Sequence, residues 1–341
     1  MNSIYNYTLN ELKAYLLANN EKPFKASQIY EWLYKRRITN FDDMSNIKKE
    51  TIEKLKNDFN FDELEIIEKL KSKDVCKYLF KLNDGAKIEA VLMKHDYGNS
   101  LCVSSQVGCN MSCTFCESGR LKKVRNLEPF EMVSQILQIE ADLKLRISHI
   151  VLMGIGEPFD NYDNIIKFID IINEGKGIDI GARHITVSTC GIIPKINEFK
   201  ENPKQVNLAI SLHASNDELR SKIMPINKVY KLQDLIKCVK EYYDKTKRRI
   251  TFEYIMLDGV NDSEKNAVEL ADLLKGLNCY VNLIPYNETT HIEYKKSNQE
   301  KINKFYDTLK KHNINVTVRR EFGSEVMAAC GQLRSHYEEC E

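Results

Sequence analysis

The chain has 341 residues, enough for one large buried core with a smaller domain beside it. Fifty Lys and Arg against forty-nine Asp and Glu leave a net charge of +1, so contact with nucleic acid has to come from a local basic patch rather than a general excess. The longest apolar runs are strand-length, no basic segment leads into an apolar one after Met1, and ten cysteines without such a leader point to metal or catalysis rather than a disulfide scaffold. The expectation is a cytoplasmic, monomeric protein with no membrane partner.

In chain order, residues 7–75 carry three apolar stripes at helical spacing: Leu9, Leu12, Leu16 and Leu17; Ile29, Trp32 and Leu33; Ile52, Leu55 and Phe59. They predict a helical accessory domain over 1–75. Runs at 77–82 and 87–93 flank Asn83-Asp84-Gly85, a hairpin signal, and make 76–99 a β-hairpin linker. From residue 100, strand-like runs at 100–104, 149–155, 184–189, 206–212, 250–257, 280–285 and 315–319 alternate with helical stretches at 129–145, 161–174, 193–200, 231–246, 262–276 and 298–312. Such alternation gives an α/β chain with a parallel sheet. Six strand–helix units are too few for a closed eightfold barrel, so a partial parallel (β/α)6 barrel is expected over 100–320, followed by a C-terminal segment, 321–341.

The unusual residues fall just past the expected strands: Cys109–Cys116, Gly154–Pro158, Ser188–Gly191, Ser211–His213 and Asn287. Active sites of parallel β/α folds lie at that edge. Three thiolates spaced as Cys109-x3-Cys113-x2-Cys116 can hold three irons of a [4Fe–4S] cluster and leave the fourth open to a ligand. A zinc site or three buried thiols are the alternatives, although structural zinc wants four ligands and no second CxxC is present. Phe115 can shield such a cluster from water. In Gly154-Ile-Gly-Glu-Pro158 the glycines permit close backbone approach, and the carboxylate can accept an ammonium group.

The cysteine spacing, with an aromatic before the last Cys, resembles the radical S-adenosylmethionine (SAM) superfamily. Leu101–Cys109, Gly154–Pro158, Ser211–Arg220, Met256–Asp262, Val281–Asn287 and Ala328–Leu333 resemble, more closely, the RlmN/Cfr family of rRNA adenosine methyltransferases, over nearly the whole chain. The resemblance implies a radical SAM barrel and a helical accessory domain that binds RNA. Its cofactors would be a [4Fe–4S] cluster on Cys109, Cys113 and Cys116, and two SAM per turnover, contacted by Gly156, Glu157, Ser188, Ser211, Leu212, His213 and Asn287. It implies that Cys330 carries a methyl group, that hydrogen abstraction from that group lets its carbon add to adenine, and that Cys102 resolves the adduct as a Cys102–Cys330 disulfide. Glu89 matches the proton acceptor. The implied partners are 23S rRNA, a tRNA, a low-potential electron donor such as flavodoxin or ferredoxin, and a disulfide reductant.

Within the family, methylation at carbon 2 of the rRNA adenosine is the nearer reading, because Pro158 follows Gly-Glu; methylation at carbon 8 stays open. So does a non-catalytic RNA-binding protein with a structural metal site. The chain departs from the family pattern at Glu117 and at Lys122-Lys123. The basic stretches around 48–56, 69–77, 120–125, 245–249 and 319–320 are the candidate phosphate contacts.

Overall fold

The computed structural model describes residues 2–319 and residue 332. Three short helices come first: α1 (Leu9–Ala18), α2 (Lys25–Tyr34) and α3 (Lys49–Asp58). Thr8 opens α1 with a reciprocal cap, its hydroxyl accepting from the Glu11 amide while the Glu11 carboxylate accepts from the Thr8 amide. The apolar stripes face inward, with Leu12, Leu16, Ile29, Leu33 and Leu55 buried. Leu17 is the exception on its stripe; it is 64% exposed.

Ten strands then form one sheet: β1 (Glu65–Lys71), β2 (Val75–Lys81), β3 (Lys87–His95), β4 (Gly98–Cys102), β5 (His149–Leu152), β6 (Ile185–Thr189), β7 (Asn207–Ser211), β8 (Ile250–Met256), β9 (Cys279–Pro285) and β10 (Asn315–Val318). Their order in space is their order in the chain. The first three junctions are antiparallel and all later ones parallel. Two corrections follow. Helix was expected through residue 75, but β1 occupies part of that stretch. The strands β2 and β3 pair as a hairpin inside the sheet, not as a linker beside it.

Each parallel junction is crossed by helix: α4 (Pro129–Leu143), α5 (Tyr162–Asn173), α6 (Ile193–Phe199), α7 (Asp217–Ile223) with α8 (Leu232–Thr246), α9 (Glu264–Leu273) and α10 (Gln299–Lys311). Successive right-handed crossovers between neighbouring strands put all helices on one face. Accordingly α4 packs on α5, α6 on α8, and α9 on α10. This winding is that of an open α/β barrel with six crossovers. A single apolar cluster runs from Ile4 through the sheet to Val316, so the N-terminal helices share the core of the barrel. They are tied to it by polar contacts as well: the Phe130 amide donates to Asn6 Oδ1 (2.9 Å), and Lys167 pairs with Glu11 (2.8 Å). Among the described residues no helix is long and apolar enough to cross a membrane.

Candidate active site

The loop after β4 is folded by its own backbone. The Cys109 amide donates to the Leu121 carbonyl (3.0 Å), the Cys116 amide to Cys113 (3.1 Å), and the Thr114 amide reaches the end of α7 at Ile223 (3.0 Å). The result brings Cys109, Cys113, Cys116 and Phe115 onto the wall of one cavity. Burial raises the Cys109 thiol to about 12, and the neighbouring Cys116 adds to the effect; the Cys113 thiol is also raised, by burial and then by the other two thiols. Three thiols that penalise one another's ionisation are a donor set in want of cationic charge, which bound iron supplies. Among the described residues no three His, Cys, Asp or Glu side chains converge on a single ion position. Three cysteines on one cavity wall fit a cluster whose ligands attach to separate irons.

Gly154, Gly156 and Glu157 follow β5 and line the same cavity. A Cβ on Gly154 would lie 2.7 Å from the Ser104 nitrogen and from the Val103 carbonyl, so only glycine lets this loop lie against the end of β4. Gly156 has φ +109°, and a Cβ there would meet Gln106 at 2.6 Å. The Glu157 carboxylate is buried and accepts from the amides of Phe159 (3.0 Å) and Cys190 (2.8 Å), tying the ends of β5 and β6 together. Burial raises its affinity for a proton despite these bonds. A ligand ammonium group would offset that cost.

Ser188, one residue before the end of β6, and Ser211, the last residue of β7, have hydroxyls 3.3 Å apart in the same cavity. His213, just beyond, sits at φ +58° with Phe115 edge-on to its ring (centroids 4.9 Å apart). Its Nδ1 accepts from the Ile255 amide (3.0 Å). That bond assigns the proton of the neutral ring to Nε2. Burial, then the Arg220 charge, lowers the His213 pKa to about 3. The imidazole therefore meets a ligand as a neutral N–H donor.

Two expected SAM contacts do not line this cavity. Leu212 is fully buried and its amide donates to the Glu253 carbonyl; Asn287 is half-buried, with its side chain 3.5 Å from the Pro285 carbonyl. Cys330 and the rest of the expected C-terminal segment lie outside the described residues, except Gln332, whose amide donates to the Glu288 carbonyl (3.0 Å). Cys102 ends β4, buried among Val75, Val91, Met93 and Ile155. Glu89 is on β3, and the strand is not half-exposed as its charges suggest: Glu89 is fully buried and its carboxylate lies 2.9 Å from Lys77 Nζ.

Sequence reasoning missed Glu253, a buried carboxylate lining the cavity from β8, and Arg220 behind it. The Arg220 guanidinium is fully buried and donates to the carbonyls of Cys190 (2.6 Å), Leu212 (3.2 Å) and Ser211 (3.3 Å) and to Asn227 Oδ1 (3.1 Å). An Arg on a short amphipathic helix reads as a surface residue, so nothing in the sequence announced either role. The basic stretch after the cluster loop is largely spent on internal pairs: Arg120 with Glu117 (2.8 Å), Lys123 with Asp160 (2.8 Å), and Arg125 with Glu131 (2.8 Å) and Asp84 (2.6 Å). Lys122 is exposed.

Comparison with known proteins agrees with this geometry. The radical SAM superfamily profile matches residues 103–271, and the ribosomal RNA large subunit methyltransferase N-terminal domain matches residues 2–60. The crystal structure of a radical SAM methyltransferase from Sphaerobacter thermophilus superposes with a TM-score of 0.92 at 40% identity, covering 98% of this chain and 100% of that one. The barrel and its three-cysteine loop thus define a radical SAM enzyme, a class that works with a [4Fe–4S] cluster and SAM. Proteins described as probable dual-specificity RNA methyltransferase RlmN are 53% identical in Spiroplasma citri (99% of both chains) and 52% identical in Bacillus subtilis (98% of this chain, 93% of that one). The chain belongs to the RlmN family of radical SAM RNA methyltransferases.

Proposed function

We propose that this protein methylates carbon 2 of an adenosine in the peptidyl-transferase centre of 23S rRNA and of a tRNA adenosine beside the anticodon. The observation that supports it most is the meeting of three cysteines, a buried glutamate, two serine hydroxyls and a neutral histidine in one cavity at the strand ends. When bound, the cluster and SAM supply the methyl group and the one-electron chemistry that an unreactive aromatic carbon requires. Cys109, Cys113 and Cys116 hold the cluster, and Glu157, Ser188, Ser211 and His213 hold SAM. Cys330 carries the methyl group on sulfur. Glu89 takes the proton from the adenine carbon. The Cys102 thiolate then attacks the Cys330 sulfur, the bond from that sulfur to the RNA-borne carbon breaks, that carbon keeps the electron pair and takes up a proton to become the methyl group, and a thiol reductant returns the Cys102–Cys330 disulfide to two thiols. The cluster that Cys109, Cys113 and Cys116 would hold would draw its electron from a low-potential carrier, and the cytoplasm would supply carrier, reductant and RNA alike. Mass spectrometry of adenosines from rRNA and tRNA, in cells with and without the gene, tests this. 2-Methyladenosine should vanish from both RNAs on deletion. Loss of 8-methyladenosine instead, or no change, overturns the assignment.

A further inference from the structure

We infer that Lys77 is a positioning residue for Glu89, holding that buried carboxylate in its charged, proton-accepting form for the release step. The inference rests on the assignment of Glu89 above and adds a residue to it.

The sheet register places the pair. Lys77 on β2 faces Val91 on β3, Val91 faces Cys102 on β4, and Cys102 faces Val151 on β5, so the four side chains form one row on one face. Glu89 lies two residues before Val91, on the same face and one step nearer the edge that carries the cysteine loop. Its carbonyl accepts from the Ser104 hydroxyl (2.5 Å), and Ser104 in turn accepts from the Ile155 amide (3.0 Å). This fixes the Glu89 backbone to the Gly154–Pro158 loop.

The side chains of Lys77 and Glu89 are 1% and 0% exposed, with Nζ and Oε1 2.9 Å apart. The apolar row beside them, with Val75, Val91, Met93 and Ile155, offers no solvation of a charge. A carboxyl group buried alone in such surroundings turns neutral, and a neutral carboxylic acid cannot take a proton. The ammonium group of Lys77 removes that obstacle. As a stability device the pair is a poor choice, since two apolar side chains would pack there without desolvating two charges. Its value is in keeping one charge ready where a reaction step needs it. When Glu89 takes the adenine proton it becomes neutral, and the Lys77 charge beside it favours return to the carboxylate as the proton passes on to water.

The test uses full-length enzyme purified from cells in four forms: Lys77→Met, Lys77→Gln, Lys77→Arg and Glu89→Gln. The readings are product formation, RNA covalently attached to protein on a denaturing gel, and S-methyl occupancy of Cys330 by peptide mass spectrometry. Lys77→Met should form product at least about 100-fold more slowly, the size of a lost general base. It should retain S-methyl on Cys330 and accumulate attached RNA, as Glu89→Gln should. Lys77→Gln keeps a hydrogen-bond donor without the charge and should show the same lesion, which decides the matter if the Met variant does not fold. Lys77→Arg keeps the charge and should stay within about tenfold of wild type. If Glu89→Gln fails but Lys77→Met and Lys77→Gln turn over normally without attached RNA, Lys77 has no such role. If Glu89→Gln itself turns over normally, the assignment of Glu89 is wrong and that of Lys77 falls with it.

Discussion

At the scale of the residue, His213 makes the sharpest prediction. A buried imidazole with Nδ1 engaged by a backbone amide stays neutral in the folded protein down to about pH 3. In the unfolded chain it takes up a proton near its ordinary value of 6.5. The unfolded state therefore binds more protons between these values, and stability falls as pH drops from about 6.5 towards 3, by up to about 1.4 kcal/mol per pH unit from this group alone. His213→Gln should remove that component from the pH dependence of urea unfolding. Imidazole nitrogen NMR should show an Nε2–H tautomer throughout the range from 6 to 8, and a titration inside that range would contradict the assignment. The position of His213 was legible in the sequence, because it follows a strand in an alternating pattern. Its protonation state was not, since the amide of Ile255 that fixes it belongs to the neighbouring strand. The same reason hid Lys77 and Glu89, whose charges looked solvated until the register buried them together.

At the scale of the element, the strand ends are held by Arg220, one side chain from α7 that binds three carbonyls belonging to the ends of β6 and β7. A planar fork can serve all of these at once, and an ammonium group cannot. Arg220→Lys should leave buried carbonyls unpaired, at about 1–3 kcal/mol each. The expected result is a lowered Tm together with SAM binding weakened at least tenfold in calorimetry, because Ser211 and His213 lose their support. A lowered Tm with unchanged SAM affinity would show that Arg220 serves the fold and not the pocket. Most elements were readable beforehand: six of the seven crossover helices, all but the short α7, and the seven parallel strands carry clear periods of 3.6 residues or continuous apolar runs. Strand β1 was not. Its sequence, Glu65-Ile-Ile-Glu-Lys-Leu-Lys71, alternates only between exposed and half-buried positions and places charges on both faces. That is the pattern of a protected sheet edge, and it lacks the apolar face by which strands are recognised.

At the scale of the whole molecule, one apolar cluster joins the N-terminal helices to the barrel. Trp32, the only tryptophan, lies in those helices and is buried, its Nε1 donating to Asn46 (2.6 Å). Urea unfolding followed by Trp32 fluorescence and by far-ultraviolet circular dichroism should therefore give coincident transitions. An earlier fluorescence midpoint would mean that the N-terminal helices unfold independently. The strand order has a further consequence, for how such a chain comes into being. Since neighbours in space are neighbours in sequence throughout the sheet, no strand has to wait for a distant partner, and loop-closure entropy stays low at every junction. A nascent chain can lengthen the sheet at one growing edge as it leaves the ribosome, beginning at β1 and ending at β10. The cysteine loop is synthesised before most of the walls of its cavity, and β8, which brings Glu253, is added late. The walls of the pocket are thus synthesised in the order in which they stand side by side in the sheet.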